Sequence, residues 1–187
     1  MNFLYQSPII NYQSNMDHLK YPIGKFEKPA VISAAQLQSW RQEIETLPAL
    51  MTALVAPLSE EDLNKTYRPG GWTIRQVVHH VFDSHINAYI RFKWTLTEEN
   101  PTIKAYHEDR WAELADYTNT PVEVSLRLLE GPHHRWSVLL RSLSEEDLQR
   151  TFFHPESKQS YRLYEMVGMY AWHGKHHLGH VRLALQG

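Results

Sequence analysis

Histidine is the residue that stands out in this chain. Twelve are present beside no cysteine, and most fall in three groups: His79, His80 and His85; His133 and His134; His173, His176, His177 and His180. The lack of cysteine excludes disulfides, thiolate ligands and a cysteine nucleophile, so any metal must be held by nitrogen or oxygen. His173 and His177 are four residues apart, and on a helix that spacing stacks them on one face. Two imidazoles so placed can reach one ion, as the histidines of an HExxH helix do. His176 and His180 repeat the spacing.

The elements that must position these groups read as helices. Apolar residues recur with helical period, strand alternation is scarce, and turn signals fall between four long segments. The first helix is expected from an N-cap at Ser33 through Leu54, with Pro48 kinking it and Pro57 ending it. The second follows RPGG, with Thr73 and Gln76 as a capping box, and runs to about Glu99 before Asn100 and Pro101. The third begins after Thr120 with Pro121 in its first turn and runs to Ser142, bent at Gly131 and Pro132. The fourth spans about Leu163 to Leu185.

Helical faces then rank the histidines. On the fourth helix Leu163, Met166, Tyr170, Val181 and Ala184 mark the core side. His177 lies within that arc, His173 and His180 lie at its edge, and His176 points further round. Two core-side histidines left unpaired would cost several kcal/mol in desolvation, which a shared metal removes. On the second helix, His80 is at the apolar margin beside Ser84 and His79 points outward. His85 falls inside the apolar arc, where a histidine is more often a hydrogen-bonded core residue than a ligand. Periodicity alone leaves the choice between His80 and His85 open.

A near-repeat links the two halves. LSEEDLNKTY (58–67) and LSEEDLQRTF (143–152) each precede a histidine-bearing helix, and Ser59 and Ser144 look like N-caps of short helices. Two hairpins related by a pseudo-two-fold would bring the second and fourth helices, and their histidines, together.

Length and charge set the outer bounds. At 187 residues the chain reads as one domain, 1–187, with an irregular segment over about 1–30. A net charge of −2 with interleaved signs argues against nucleic-acid and membrane partners. The opening MNFLYQSPIINYQSNMDHLK lacks a leader pattern, so a cytoplasmic protein is expected.

Longer stretches carry a family likeness: YPIGKFEKP near residue 21, YRPGGWTIRQVVHHVFDSHINAYIRFKWTLTEENPTIKAY from Tyr67, HRWSVLLRSL from His134 and the terminal AWHGKHHLGHV. Over most of its length the chain resembles the DinB/YfiT-like superfamily, and within it the YfiT-type metal-dependent hydrolases, which are related to bacillithiol S-transferases. The resemblance implies an all-α, up-down-down-up four-helix bundle, a homodimer, and three metal ligands. These are His80, the second histidine of VVHH, with His173 and His177 of the terminal H-x3-H. Lys175 stands where relatives are rich in histidine, and a charge close to the site is expected there.

Three neutral imidazoles add no charge to a divalent ion and leave a coordination position open. Such an ion is a Lewis acid able to activate water or a thiol. Histidine nitrogen suits zinc, nickel, copper and iron; one ion per subunit, zinc or nickel, is expected. No glutamate adjoins a ligand as in HExxH, which disfavours peptidase chemistry. The leading expectation is a metal-dependent hydrolase or thiol S-transferase acting on a small molecule, its co-substrate a low-molecular-weight thiol in the second case. Asp83 could orient an imidazole, and Arg75, Arg91 or Lys175 could hold a substrate carboxylate. The alternatives are a metal-containing binding or sensor bundle without turnover, and a structural ion with His85, His176 or His180 as fourth ligand.

Overall fold

The computed structural model describes residues 17–186. In chain order its elements are α1 (Asp17–Lys20), α2 (Ala34–Val55), α3 (Glu60–Leu63), α4 (Ile74–Thr97), α5 (Glu108–Trp111), α6 (Ala115–Asn119), α7 (Val122–Ser142), α8 (Glu145–Gln149), β1 (Thr151–His154), β2 (Gln159–Arg162) and α9 (Leu163–Ala184). The four long helices α2, α4, α7 and α9 coincide with the expected segments. Their starts follow local chemistry: Ser33 accepts from the Gln36 N–H, and Thr73 with Gln76 closes a capping box ahead of α4. Expectations for residues 1–16, including the missing leader pattern, lie outside the described residues.

Two apolar clusters reveal the direction of each helix. One contains Trp40, Ile44, Ala88, Phe92, Trp136, Leu140, Leu163 and Val167. The other contains Leu47, Met51, Val55, Ile74, Val77, Val81, Val122, Leu126, Leu178 and Val181. Helices α2 and α9 therefore run from the first cluster to the second, and α4 and α7 run back. That is the up-down-down-up order. The parallel pair α4 and α7 needs a connection along the bundle's whole length, and the segment bearing α5 and α6 supplies it.

Both copies of the repeat form short helices, α3 and α8, each with a complete Ser–Asp capping box. Exchanging α2 with α7 and α4 with α9 keeps every neighbour and reverses every helix direction, as a two-fold axis across the bundle does, so the hairpins are related as the repeat suggests. A strand pair was not expected. Residues 151–162 form an antiparallel hairpin pairing Thr151 with Arg162 and His154 with Gln159, and Phe153 bonds to Pro101 and Ile103 of the crossover. No helix among the described residues is long and apolar enough to cross a membrane.

Candidate metal centre

Between the two apolar clusters lies a belt of imidazoles. His80 of α4 and His173 and His177 of α9 converge there, and one ring nitrogen from each lies within 4.8 Å of the others. The Nε2 atoms of His80 and His173 are 3.3 Å apart, and those of His177 and His173 are 3.2 Å apart. His80 and His177 are buried, while His173 opens onto a cavity. Burial pushes the His80 imidazole down to about 3 and holds those of His173 and His177 well below the usual range, so all three are neutral near pH 7.

Hydrogen-bond chains anchored on main-chain carbonyls determine where the protons sit. Pro48 lies inside α2 and has no N–H, which leaves the carbonyl of Ile44 without its helical donor. His133 Nδ1–H donates to that carbonyl at 2.7 Å. The bare His133 Nε2 then accepts from His85 Nδ1–H at 3.0 Å, and His85 Nε2 accepts from His173 Nδ1–H at 3.1 Å. Since a neutral imidazole carries one proton, His173 Nε2 is left with a lone pair. A second chain does the same for His177. The Lys20 carbonyl accepts from His180 Nε2–H at 3.1 Å, and His180 Nδ1 accepts from His177 Nδ1–H at 3.3 Å. Two lone pairs thus face each other across 3.2 Å, an arrangement that neutral imidazoles cannot turn into a hydrogen bond. A shared cation resolves it, so the donor set fits a divalent ion held on three nitrogens.

The other candidate residues are placed as follows. His85, 1 % exposed, is a hydrogen-bonded core residue, but it touches His173 directly. Both His85 and His180 approach the Nδ1 side of their neighbours, behind the facing Nε2 atoms, and not as a fourth ligand. His79 does not point outward: it is 4 % exposed and bonds Ser125 Oγ at 2.8 Å. Its helical wheel misled because the crossover covers that face of α4, with the Tyr117 ring edge-on to His79. His176 is likewise buried, stacked on Trp172 beneath Tyr21 of the amino-terminal segment. Asp83 accepts from Tyr117 Oη at 2.6 Å and touches no ligand; burial raises its carboxyl. Lys175 pairs with Glu43 at 3.0 Å and does not line the cavity. Arg75 bonds Glu60 and the Thr120 carbonyl. Arg91 alone of the three cations faces the cavity.

That cavity, about 500 Å³, opens over the three histidines. Its walls include Tyr67, Trp72, Ser84, Tyr106 and Trp172, with Trp72 packed on His80 and Tyr67 stacked on His180. Sequence reasoning missed the supporting parts: His133, the freed Ile44 carbonyl and the Lys20 carbonyl. Only the proline inside a strongly helical segment signalled an unpaired carbonyl at Ile44.

Residues 43–181 match the profile of the DinB superfamily. A protein of Oceanobacillus iheyensis, provisionally named as a metal-dependent hydrolase, is 54% identical over 162 residues, covering 87% of this chain and 93% of its own. A Bacillus cereus protein with the same provisional name is 52% identical over 166 residues, covering 89% and 95%. Among solved structures, YfiT from Bacillus subtilis, described as a probable metal-dependent hydrolase with an unusual four-helix bundle topology, superposes with a TM-score of 0.87. It is 43% identical, over 90% of this chain and 97% of that one.

Proposed function

The chain belongs to the DinB superfamily, and we propose that it is a metal-dependent hydrolase of small molecules whose single divalent ion is held by His80, His173 and His177. The observation that carries this reading is the pair of unprotonated Nε2 atoms facing each other under an open cavity. A cation held there supplies Lewis acidity, enough to make a nucleophile from water or a thiol near neutral pH and to polarise an acyl or phosphoryl oxygen. The protein's own groups do the rest. The two carbonyl-anchored chains hold the His173 and His177 protons on Nδ1, the apolar clusters flank the belt above and below, and Trp72 and Tyr67 wall the approach. The names of the similar proteins point to hydrolysis.

A second reading is thiol S-transfer. The carboxylates lining the cavity, Glu108 and Glu156, are exposed, and neither bonds a member of the triad. Thiol transfer would ask less of a general base than hydrolysis does, because a divalent ion held by His80, His173 and His177 would itself acidify the thiol. Zinc or nickel, a homodimeric assembly and a cytoplasmic setting belong to the same proposal.

The test is elemental analysis of protein purified without a histidine tag, followed by assay of the same sample against small esters, amides and phosphoesters, and against thiols with an electrophile. One ion per chain with turnover dependent on it supports the reading. Stoichiometric metal with tight ligand binding and no turnover would favour a sensor, and absence of metal binding would overturn the proposal.

A further inference from the structure

Among the described residues Arg91 is a buried charge without a counter-ion. It is 9 % exposed, and among the described residues it makes no ion pair with a carboxylate. Two of its five N–H donors are used, one to the Lys104 carbonyl at 2.9 Å and one, at 3.5 Å, to Tyr170 Oη. The Nε–H has no acceptor among the described residues. A guanidinium cannot shed its proton to relieve burial, as a lysine can, so an unsatisfied one is costly unless something brings it an anion.

What can reach it is set by the cavity. Arg91 lines the same space as the three histidines. It follows His80 by eleven residues of α4, close to three whole turns, so both lie on one face with Ser84 between them. The Cα atoms are therefore ~16 Å apart along the axis, and because helical side chains lean towards the amino terminus, roughly 10 Å separates the guanidinium from the imidazoles. Tyr106 flanks the charge, its ring centroid 5.9 Å from the guanidinium carbon. The other cavity cations, Lys20 and Arg68, lie by the His180 end: the Lys20 carbonyl accepts from His180, and the Tyr67 ring beside Arg68 stacks on it.

We propose that Arg91 is the anion-recognition residue of this cavity, and that its substrates carry one carboxylate about 10 Å from the reacting group. A single guanidinium matches a monoanion; a phosphate dianion would ask for a second cation within reach. The location of the reacting end rests on the metal-centre reading, whereas the anion site does not.

Octanoate, 1-octanol and octyl phosphate are the probes, titrated into metal-free protein and into protein holding one zinc, with binding followed by tryptophan fluorescence. In the metal-free protein octanoate should bind at least about tenfold more tightly than 1-octanol, as expected for a charge-assisted hydrogen bond. Arg91→Met should bring the two within about twofold, and Arg91→Lys should retain part of the preference. Equal binding of octanoate and 1-octanol by the wild type, or a preference surviving in Arg91→Met, would overturn the assignment. Octyl phosphate preferred tenfold over octanoate would also overturn it, in favour of a phosphate site. Should Arg91→Met not fold, the wild type still decides: the Arg91 Nε–H resonance should move with octanoate and stay with 1-octanol, and identical responses count against the site. Failure of the metal reading would appear in metal content and leave these metal-free titrations unchanged.

Discussion

The Nε2 atoms of His173 and His177 stand 3.2 Å apart, and the hydrogen-bond chains behind them leave neither with a proton. One chain ends on the Ile44 carbonyl and the other on the Lys20 carbonyl, groups that accept and never donate. The repulsion at the centre is therefore fixed from outside it. The fold holds two lone pairs together at a cost that a cation returns, so metal affinity and metal-free stability should respond oppositely to the same structural feature.

Replacing His80, His173 or His177 singly by alanine should weaken metal binding by more than about a hundredfold, beyond the 10–100-fold typical of supporting residues. The effects should not add, because each removes a donor from one ion. His79→Ala should keep the metal and lose stability through its bond to Ser125. Competition titration with a chromogenic chelator reads all four; retention of tight binding in the His80 variant would refute the donor set.

Much of this was legible beforehand, for identifiable reasons. Caps, periods and prolines located α2, α4, α7 and α9 because those signals are local. The wheel grouped His173 with His177 for the same reason. It failed for His79 and His176, whose burial comes from segments far away in sequence, the crossover at Tyr117 and the amino-terminal stretch at Tyr21. The β1–β2 hairpin was missed because its four-residue strands are too short for alternation to register, and its position depends on Pro101 and Ile103 of the crossover. The role of Lys175 was misjudged because nothing near it in sequence reveals Glu43 across the helix interface.

The metal-free fold should lose stability as pH falls from about 6.5 towards 4. Burial pushes the His133 imidazole down to about 4, against the opposing pull of the Ile44 carbonyl. A folded value below the unfolded one means the unfolded chain binds more protons in this window. The contribution is thus fully present above about 6.5 and lost through the folded value, worth roughly 3 kcal/mol for this residue. Urea unfolding of chelator-treated protein from pH 8 to pH 4 measures it. His133→Gln should flatten the slope by up to one proton, and an unchanged slope would show that His133 is not charged on unfolding there.

Gly168→Ala should destabilise the bundle without touching the metal. A Cβ at this position would meet the Trp40 ring at 2.8 Å, a rigid neighbour wedged between α2 and α9. Overpacking of this kind costs about 1–3 kcal/mol. Thermal unfolding should shift down while the chelator-competition constant stays at the wild-type value, since Gly168 packs in the cluster below the histidine belt.

Pro48→Ala should improve the helix and impair the site. Alanine restores an N–H four residues after Ile44, and that donor competes with His133 for the carbonyl that anchors the first chain. If the helix takes the carbonyl, His133 Nδ1 loses its acceptor and the proton order along His133, His85 and His173 is no longer imposed. The expected outcome is metal affinity lowered by about tenfold, the lower end of the range for residues that orient a ligand. His85→Ala should lower it similarly, and His85→Gln, which can accept from His173 and donate to His133, should recover part of the loss. The measurement specific to proton order is nitrogen-15 NMR of the metal-free protein, in which the His173 ring should show a protonated Nδ1 and a bare Nε2. In Pro48→Ala the two forms should mix. Wild-type spectra showing His173 protonated at Nε2 would break the chain at its last link, and the facing lone pairs with it.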